Sequence, residues 1–511
     1  MEQINTEALK KKILDLAIRG KLVEQDPNDE PASVLLEKIR EEKEELIQQK
    51  KIKRNKNESY IFKGEDGSYY EKFADGTLKS IQDEIPFEIP KGWEWASLGQ
   101  ITSPNSLNDG DWILSKNMTL LEEIKIVQLG HIGYGEYKNK SYKYISEETF
   151  IELNCTEIEK DYILINRLLG DVMYTCKLPE IKGKKITSVD VCWIMPSESK
   201  YNSDYLLYLL MSPYFQEKVF KLATGTTRLR ISKGNLIKII IPFPPINYQN
   251  KMVEKIKELF NIIDSIKQNK ESLELIKKKV NVKSLNLAMQ GKLVPQDSKD
   301  EPASVLLEKI KEEKEKLILE GKIKRNKKES TILRRGESYY ELLDGEEKDI
   351  TDEIPYDLPT DWTWVRLENV SFNYNGKRVP LSLNQRNNLK KIYNYYGATG
   401  VIDKVENYIF DRPLLLIGED GANLRTRTKP LAFIACGKYW VNNHAHVLDS
   451  IDINILQYLK YYINIVSINH LITGSAQPKL TQNNLNNLLV PIPPLSEQIR
   501  IVKKLETIQN V

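Results

Sequence analysis

The stretch DPNDEPASVLLEKIREEKEELIQQKKIKRNKNES (26–59) decides the architecture, because it returns as DSKDEPASVLLEKIKEEKEKLILEGKIKRNKKES (297–330). The two segments lie 271 residues apart and are identical at 26 of 34 positions. The match continues into DEIPFEIPKGWEWASL (83–98) and DEIPYDLPTDWTWVRL (352–367) and then fades. An internal repeat of this kind predicts a structural unit that occurs twice.

The similarity returns as IPFPP (241–245) and VPIPP (490–494). Each half of the chain therefore has shared flanks around a dissimilar middle, and the first middle is about twenty residues longer. Shared flanks predict the same mounting geometry twice, whereas divergent middles predict two different surfaces, as a protein with two unrelated targets needs. The alternative is a tandem duplication whose middles drifted without functional demand. The selective preservation of the flanks argues against it.

A long charged segment runs from Ile246 to about Met289 without proline or glycine. Six of its eight seam positions at 4-3 spacing are apolar, which predicts a coiled-coil helix. The apolar seam residues are Ile256, Leu259, Ile263, Ile266, Leu273 and Val280, and the other two are Lys270 and Lys277. Such a helix would span roughly 65 Å. A long surface helix packed on one domain is the alternative.

The second copy of this spacer is divided between the two ends of the chain. Leu495–Val511 matches Ile246–Ile262 at an offset of 249, and the opening residues through Asp26 match 282–297 at an offset of 271. Only the equivalents of 263–271 are absent. We therefore expect the C-terminal helix to be the first part of a spacer whose second part is the N-terminal helix.

Each middle mixes short strand-like runs with a helix. In the first middle these are YILIN (162–166), DVCWIMP (190–196) and the helical SDYLLYLLMSPYFQEKVFKLAT (203–224). In the second they are PLLLIGED (413–420), PLAFIACG (430–437), HAHVLD (444–449) and the helical INILQYLKYYINIVSI (453–468). We predict an α/β (α+β) fold with two globular variable domains, long antiparallel coiled-coil helical spacers and a pseudo-twofold internal repeat.

The predicted domain boundaries follow from the repeat. They are an N-terminal helical region (1–59), a first variable domain (60–245), a central helical spacer with the repeat of the N-terminal region (246–330), a second variable domain (331–494) and a C-terminal spacer segment (495–511).

Composition excludes several classes of protein. The 75 Lys and Arg against 72 Asp and Glu leave a net charge of +3, so any basic surface must come from local clustering. The four cysteines form neither a metal-site spacing nor a disulfide framework, which fits a reducing cytoplasm. No stretch approaches about 18 uninterrupted apolar residues, and the opening segment lacks the pattern of a signal peptide. We expect a cytoplasmic protein without a membrane span.

Several repeated motifs are similar to those of a known family. A PxPP motif followed by a heptad helix occurs twice, as IPFPPINYQNKMVEKI (241–256) and VPIPPLSEQIRIVKKL (490–505). TGSAQPKLTQNNL (473–485) and GATGVIDKV (397–405) are also similar to family members. An EIPxxxPxxWxW motif occurs twice, with the tryptophans Trp93, Trp95, Trp362 and Trp364. In this order, over essentially the whole chain, they resemble the specificity subunits of Type I restriction-modification systems.

The resemblance implies that each variable domain is a target-recognition domain that binds one half of a split double-stranded DNA sequence. The helical spacers would set the distance between the halves. The implied partners are two modification (methyltransferase) subunits and the restriction (translocase-nuclease) subunits. Methylation would fall on adenine. S-adenosylmethionine, ATP and magnesium would be held by the partner subunits, with no cofactor in this chain.

The sequence contains no catalytic motif that we recognise. It lacks the Asn/Asp/Ser-Pro-Pro-aromatic loop of amino-methyltransferases, the GxxxxGK[ST] phosphate loop and HExxH. His444 and His446 would share one face of a strand and could ligate a metal, but no third ligand has suitable spacing. We therefore expect a non-enzymatic chain without a metal site, in which these histidines pack or hydrogen-bond at a strand end.

Arg and Lys read guanine, Asn and Gln read adenine, and Lys, Arg, Ser and Thr contact phosphates. The acid-free TGTTRLRISKGNLIK (224–238) is the best cluster, and TGSAQPKLTQNN (473–484) is its partner in the second domain. Further clusters lie at 182–185 and at 423–429. In the second of these stretches, Arg425, Arg427 and Lys429 would project from one face if the chain is extended there. The candidates are Thr226, Thr227, Arg228, Arg230, Lys233, Lys182, Lys184, Lys185, Ser475, Gln477, Lys479, Asn423, Arg425, Arg427 and Lys429.

Two other functions are compatible with the sequence. One is a coiled-coil scaffold that joins two protein-binding domains, which would show no sequence-dependent affinity for DNA. The other is a self-contained DNA methyltransferase with unrecognised motifs, which would bind S-adenosylmethionine by itself.

The divided spacer predicts that the two termini lie close together, in line along one composite helix. Their separation should match the nine missing helical residues, about 14 Å. A distance measured between labels attached at the two ends tests this prediction, and a much larger separation would contradict it.

Overall fold

The computed structural model describes residues 5–52, 59–102, 106–197, 199–325, 330–343 and 345–510. The chain divides into two compact units, Met1–Lys270 and Glu271–Val511, and both mix helices with strands. Within the described ranges, no helix is long and apolar enough to cross a membrane.

The first unit contains the elements that precede the long spacer helix α8 and the part of α8 up to Lys270. Its helices are α1 (Thr6–Ile18), α2 (Ala32–Gln48), α3 (Leu98–Ile101), α4 (Glu147–Glu152), α5 (Ser203–Met211), α6 (Pro213–Leu222), α7 (Lys233–Leu236) and the spacer α8 (Ile246–Met289). Its strands are β1 (Ser59–Lys63), β2 (Tyr69–Phe73), β3 (Leu78–Ser80), β4 (Glu94–Ser97), β5 (Leu107–Asp109), β6 (Ile124–Val127), β7 (Lys143–Ile145), β8 (Ile163–Asn166), β9 (Thr175–Lys177), β10 (Lys185–Thr187), β11 (Val191–Ile194) and β12 (Ile240–Phe243).

The second unit repeats much of this order. Its helices are α9 (Ala303–Leu319), α10 (Leu383–Asn387), α11 (Asn423–Thr426), α12 (Ile453–Ile465), α13 (Gln482–Asn486) and α14 (Leu495–Gln509). Its strands are β13 (Ser330–Arg335), β14 (Ser338–Leu343), β15 (Glu346–Asp349), β16 (Thr363–Arg366), β17 (Phe372–Asn373), β18 (Tyr393–Gly397), β19 (Gly400–Val405), β20 (Phe410–Asp411), β21 (Leu414–Gly418), β22 (Ala432–Ala435), β23 (Lys438–Val441), β24 (Ala445–Asp449) and β25 (Leu489–Ile492).

In the first unit, α1 packs on α5 and α6, and the N-terminal segment also contacts the first half of α8, along which it runs in the opposite direction. The hydroxyl of Tyr248 donates to the carbonyl of Val23 at 3.0 Å, after the end of α1. Further along α8, Asp264 pairs with Lys10 at 2.6 Å. The N-terminal segment therefore forms the antiparallel helical arrangement that the repeat predicted.

The spacer helix has the predicted bounds, since α8 spans Ile246–Met289. The seam residues Ile256 and Ile263 are buried, and Ile256 belongs to the core of the first unit. The seam residues further along are more exposed, with relative exposures of 40% for Ile266, 46% for Leu273 and 46% for Val280.

Each variable domain is closed by a short antiparallel strand pair. Strand β4 pairs with β12 around the first domain, and β16 pairs with β25 around the second. Just inside these pairs, the amide of Leu98 donates to the carbonyl of Ile239 and the amide of Leu367 to that of Leu488, both at 2.9 Å. The two ends of each domain therefore meet, and they do so in the same way in both units.

The dissimilar middles share one sheet. The first domain has a four-stranded antiparallel sheet in the order β5-β11-β8-β9, and the second has β17-β24-β21-β22. A second sheet differs between them, with three strands (β10-β6-β7) in the first domain and four (β19-β18-β23-β20) in the second. Buried residues on the helices beside the shared sheet, such as Leu209 and Leu459, complete each core.

The predicted single helix over 203–224 is wrong. The structure has two helices, α5 and α6, which meet at Ser212 and Pro213. Proline lacks the amide donor that a continuous helix needs at this point, but it suits the first turn of a new one. The hydroxyl of Ser212 accepts a hydrogen bond from the amide of Phe215 and so caps the second helix.

A small antiparallel sheet follows α2 and recurs after α9. Its strands are β1, β2 and β3 in the first unit and β13, β14 and β15 in the second. In the second unit, Arg366 of the closing strand pair bonds Glu341 of the small sheet (2.6 Å) and Glu353 (2.9 Å). Both sheets lie in sequence outside the closing strand pairs. The domain boundaries at residues 60 and 331 stay predictions.

Ile310 of α9 is fully buried, so Ile310→Ala should lower the free energy of unfolding of the second unit by about 2–5 kcal/mol. Leu319 on the same helix is 84% exposed, and Leu319→Ala should change the free energy of unfolding by less than about 0.5 kcal/mol. Denaturant titration with amide hydrogen exchange measures both. Equal effects of the two substitutions would contradict this packing.

Candidate nucleic-acid interface

Two loops occupy equivalent places in the two domains. The first loop (Thr224–Arg230) is closed by two backbone hydrogen bonds between its first and last residues, at 3.0 and 2.9 Å. The second loop (Thr473–Lys479) is closed in the same way, at 2.9 and 2.8 Å. Gly225 and Gly474 have φ angles of +114° and +79°, and a Cβ on either would lie 2.4 Å from a backbone oxygen across the loop. Both loops therefore require glycine at their second position.

The exposed tips of the two loops differ in chemistry. The tip of the first loop is Thr226, Thr227 and Arg228, and the tip of the second is Ser475, Ala476 and Gln477. An arginine suits guanine or a phosphate, whereas a glutamine suits adenine. The sequence candidates at the tips are thus accessible, and each loop presents a different set of donors and acceptors.

Ion pairs fix the base of the first loop. Arg230, its last residue, pairs with Asp190 at 2.8 Å. The next amide, that of Ile231, donates to the carbonyl of Arg167 at 3.0 Å. The nearly buried guanidinium of Arg167 in turn pairs with Asp109 at 2.9 Å. Arg230 therefore holds the loop in place as well as adding charge to it.

A carboxylate fixes the base of the second loop. Glu419 pairs with Arg378 at 2.6 Å and with the loop residue Lys479 at 3.4 Å. Its carbonyl accepts the amide of Leu480 at 2.8 Å. Burial alone would raise the pKa of Glu419, but the hydrogen bond from Arg378 and the neighbouring positive charges hold that pKa below its usual value.

His446 connects this base to the shared sheet. Its side chain is buried, with Nδ1 2.9 Å from the side-chain amide nitrogen Nδ2 of Asn375 and Nε2 2.8 Å from the backbone carbonyl oxygen of Leu480. The amide donates to Nδ1, so the ring proton lies on Nε2 and donates to the carbonyl. Burial lowers the pKa of His446 below its usual 6.5, although the nearby Glu419 acts in the opposite direction. The ring is therefore neutral at neutral pH.

The two histidines of NHAH do not converge. His444 lies before β24 with its side chain 52% exposed, and its Nδ1 is 2.7 Å from Asp420. Among the residues that the structure describes, no three His, Cys, Asp or Glu side chains are grouped to hold a metal ion. Both rings form hydrogen bonds, His444 just before β24 and His446 within it.

The lysine cluster of the first domain requires a correction. Lys185 is buried, and its ammonium donates to the carbonyl of Gly183 at 3.2 Å, so it does not present its charge to a ligand. Lys184 is exposed and pairs with Glu147, and Lys182 is also exposed. These two lysines stay candidates.

The stretch 423–429 also differs from expectation, because it is not extended. Residues Asn423–Thr426 form the short helix α11, so Arg425, Arg427 and Lys429 do not alternate along a strand. Arg427 has a left-handed backbone conformation, and its guanidinium donates to the carbonyls of Ile463 and Val466 at the end of α12. It stabilises a helix end and is not available as predicted.

The remaining candidates near the loops have mixed surroundings. Arg425 donates to the carbonyl of Gly474 at 3.1 Å and so touches the second loop. The Asn423 side chain bonds the backbone of Lys429, which shapes the turn, whereas the side chain of Lys429 is exposed. Lys233 approaches Asn108 at 3.3 Å.

Sequence reasoning missed the residues that position the loops. They are Asp190 and Arg167 in the first domain and Glu419 and Arg378 in the second. The partners of these ion pairs are about forty residues or more apart in the chain, so spacing gave no signal for most of them. The acids at the strand ends, TSVD (187–190) and IGED (417–420), were the available clue.

The chain matches the family model of the Type I restriction modification DNA specificity domain over residues 90–275 and 359–511. The Type I restriction enzyme EcoAI specificity subunit of Escherichia coli is 27% identical, over 98% of this chain and 88% of that protein. The EcoEI specificity subunit of Escherichia coli is 26% identical over the same shares. The HsdS subunit of Thermoanaerobacter tengcongensis shares the fold, with a TM-score of 0.51, 16% identity and coverage of 83% of this chain and 91% of that one.

The buried neutral His446 predicts a pH-dependent stability of the second unit. Because its folded pKa lies below the unfolded value of 6.5, the unfolded state binds a proton that the folded state does not. This contribution is fully present above about pH 6.5 and is lost as the pH falls below that value. The melting temperature of the second unit should therefore drop between pH 7.5 and 5.5.

His446→Gln should reduce that drop, because the titrating group is gone. The first domain is an internal control, since Cys192 occupies the position equivalent to His446 and burial raises its pKa to about 12. Calorimetry at the two pH values measures the difference. The same pH dependence in the variant and the wild type would show that His446 is not the responsible group.

Proposed function

We propose that this chain, which belongs to the family of Type I restriction modification DNA specificity proteins, reads a split double-stranded DNA target, one half with each recognition domain. The chain is a specificity subunit of Type I restriction-modification systems. In our proposal it is not catalytic itself, and it directs adenine methylation or restriction by partner subunits to the target.

The observation that carries the proposal is the pair of equivalent loops with different tips. Their backbone closure and required glycine are the same in both domains, whereas the exposed side chains are Thr226, Thr227 and Arg228 in one and Ser475 and Gln477 in the other. Specific recognition of bases depends on such donors and acceptors, whereas contacts to phosphates carry no sequence information. The same loop backbone with different exposed side chains suits the recognition of two different half-sites.

The repeated flanks support two copies of one partner. Helices α2 and α9 lie in segments that are identical at 26 of 34 positions, and their exposed faces carry matching glutamates, Glu37 with Glu308 and Glu41 with Glu312. Two nearly identical surfaces suit two modification subunits, which restriction subunits would then join. S-adenosylmethionine, ATP and magnesium would be held by these partners. The complex would act in the cytoplasm.

Arg228→Ala should weaken binding of the cognate DNA about tenfold, because it removes an exposed guanidinium from the first loop without disturbing the core. Arg40→Ala is the matched control, since Arg40 is an exposed arginine on α2 that pairs with Glu37. Fluorescence anisotropy with a duplex that carries the target measures both. Unchanged affinity of Arg228→Ala at moderate salt would remove the first loop from the interface.

A map of methylated adenines tests the function as a whole. Cells that express this chain with its cognate modification subunit should show methylation at a split motif that is absent without the chain. No such motif, despite an active modification subunit, would favour a scaffold. Binding of S-adenosylmethionine by the purified chain alone would favour a self-contained methyltransferase.

A further inference from the structure

Backbone hydrogen bonds show which residues are equivalent around the two loops. In the first domain the amide of Arg167 donates to the carbonyl of Asp190 at 2.9 Å. In the second domain the amide of Glu419 donates to the carbonyl of His444 at 2.8 Å. His444 therefore takes the place of Asp190, and Glu419 takes the place of Arg167.

The equivalent residues differ in which of them pairs with the last residue of the loop. In the first domain, Asp190 holds the last residue of the first loop, Arg230, at 2.8 Å. In the second domain, the last residue of the second loop, Lys479, is held by Glu419 at 3.4 Å. Because Glu419 holds the second loop, the side chain of His444 does not hold it.

The side chain of His444 is oriented and accessible. Its Nδ1 lies 2.7 Å from the carboxylate of Asp420, and 52% of the side chain is exposed. A carboxylate only accepts, so in the neutral ring the proton lies on Nδ1 and the lone pair lies on Nε2. In the described part of the chain the contacts of this ring involve Nδ1, which leaves the Nε2 lone pair as an acceptor for a ligand.

The backbone that carries His444 is held on both sides. Its amide donates to the side chain of Asn442 at 2.8 Å, and Arg378 donates to the carbonyl of Ala445 at 2.7 Å. Arg378 is itself fixed by its ion pair with Glu419. Little conformational freedom is lost when a group on such a rigid support binds a ligand, so its contribution to binding is larger.

We infer that His444 is a specificity-determining residue of the second recognition domain. Its Nε2 accepts a hydrogen bond from the exocyclic amino group of a base in the major groove, which is N6 of adenine or N4 of cytosine. Asp420 is the positioning residue that sets the tautomer. This inference rests on the proposed function and names one further contact of the second domain, beside the loop tip.

The first test is the methylation map of His444→Ala, made with the full chain and its cognate modification subunit. One base pair in the half-site of the second domain should become degenerate, while the other half-site stays unchanged. His470→Ala, at the other exposed histidine of this domain, is the matched control and should leave the motif intact. An unchanged motif in His444→Ala would overturn the inference.

Thermal melting of His444→Ala checks that this variant is folded. If it is not, His444→Asn replaces it, because the asparagine side chain is too short to reach the same base. The proposed function fails separately, because in that case the wild-type chain itself would give no split motif.

Base analogues identify the contacted group. At the degenerate position, purine in place of adenine, or 2-pyrimidinone in place of cytosine, removes only the exocyclic amino group. One of these should weaken binding by the wild-type chain up to about tenfold and should not weaken binding by His444→Ala further. Which analogue has the effect distinguishes adenine from cytosine. Equal loss in the wild type and the variant would place the contact on another residue.

Asp420→Asn tests the positioning role. It should relax the same base pair as His444→Ala, because the ring is no longer held in one tautomer. A merely structural role of Asp420 would lower methylation evenly at all sites, and that result would remove it from the inference.

Discussion

The short antiparallel strand pairs that close the two recognition domains are the constraint on which the rest of the structure depends. Hydrogen bonds between Leu98 and Ile239, and between Leu367 and Leu488, bring the two ends of each domain together. Because the ends meet at a fixed place, the residues between them can change in number and sequence without moving the flanking helices. The first domain is about twenty residues longer than the second, yet both use the same closure.

The loops likewise combine a shared backbone structure with different side chains. Both loops need glycine at the second position and both are tied to the end of a central strand of the shared sheet. The carboxylate that holds each loop lies at a different position, however: it is Asp190 in the first domain and, in the second, Glu419, which takes the place of Arg167. A pair of opposite charges can be inverted or rearranged while the backbone stays in place, provided that each buried charge keeps a partner. Different ion pairs thus leave different side chains exposed in the two domains.

The sequence was informative where structure is local or repeated. The spacer helix, the C-terminal helix and the shared flanks follow from periodicity and identity, which need no knowledge of distant contacts. The shared four-stranded sheet could not be predicted, because its strands have no common sequence beyond an apolar pattern. The burial of Lys185 and the contact of Arg427 with a helix end depend on residues far along the chain. Charge alone therefore could not show which of these side chains are exposed.

Each closed domain should read its half-site independently and be exchangeable as a unit, because its two ends meet at an equivalent strand pair. The most direct test replaces residues 367–488 by a second copy of residues 98–239 and maps methylated adenines in cells that also contain the modification subunit. The methylated motif should then have two halves of the same sequence, both equal to the half that the first domain reads in the wild type. Persistence of the original second half in the methylated motif would show that residues outside 367–488 read it, because the residues assigned to read it would no longer be present.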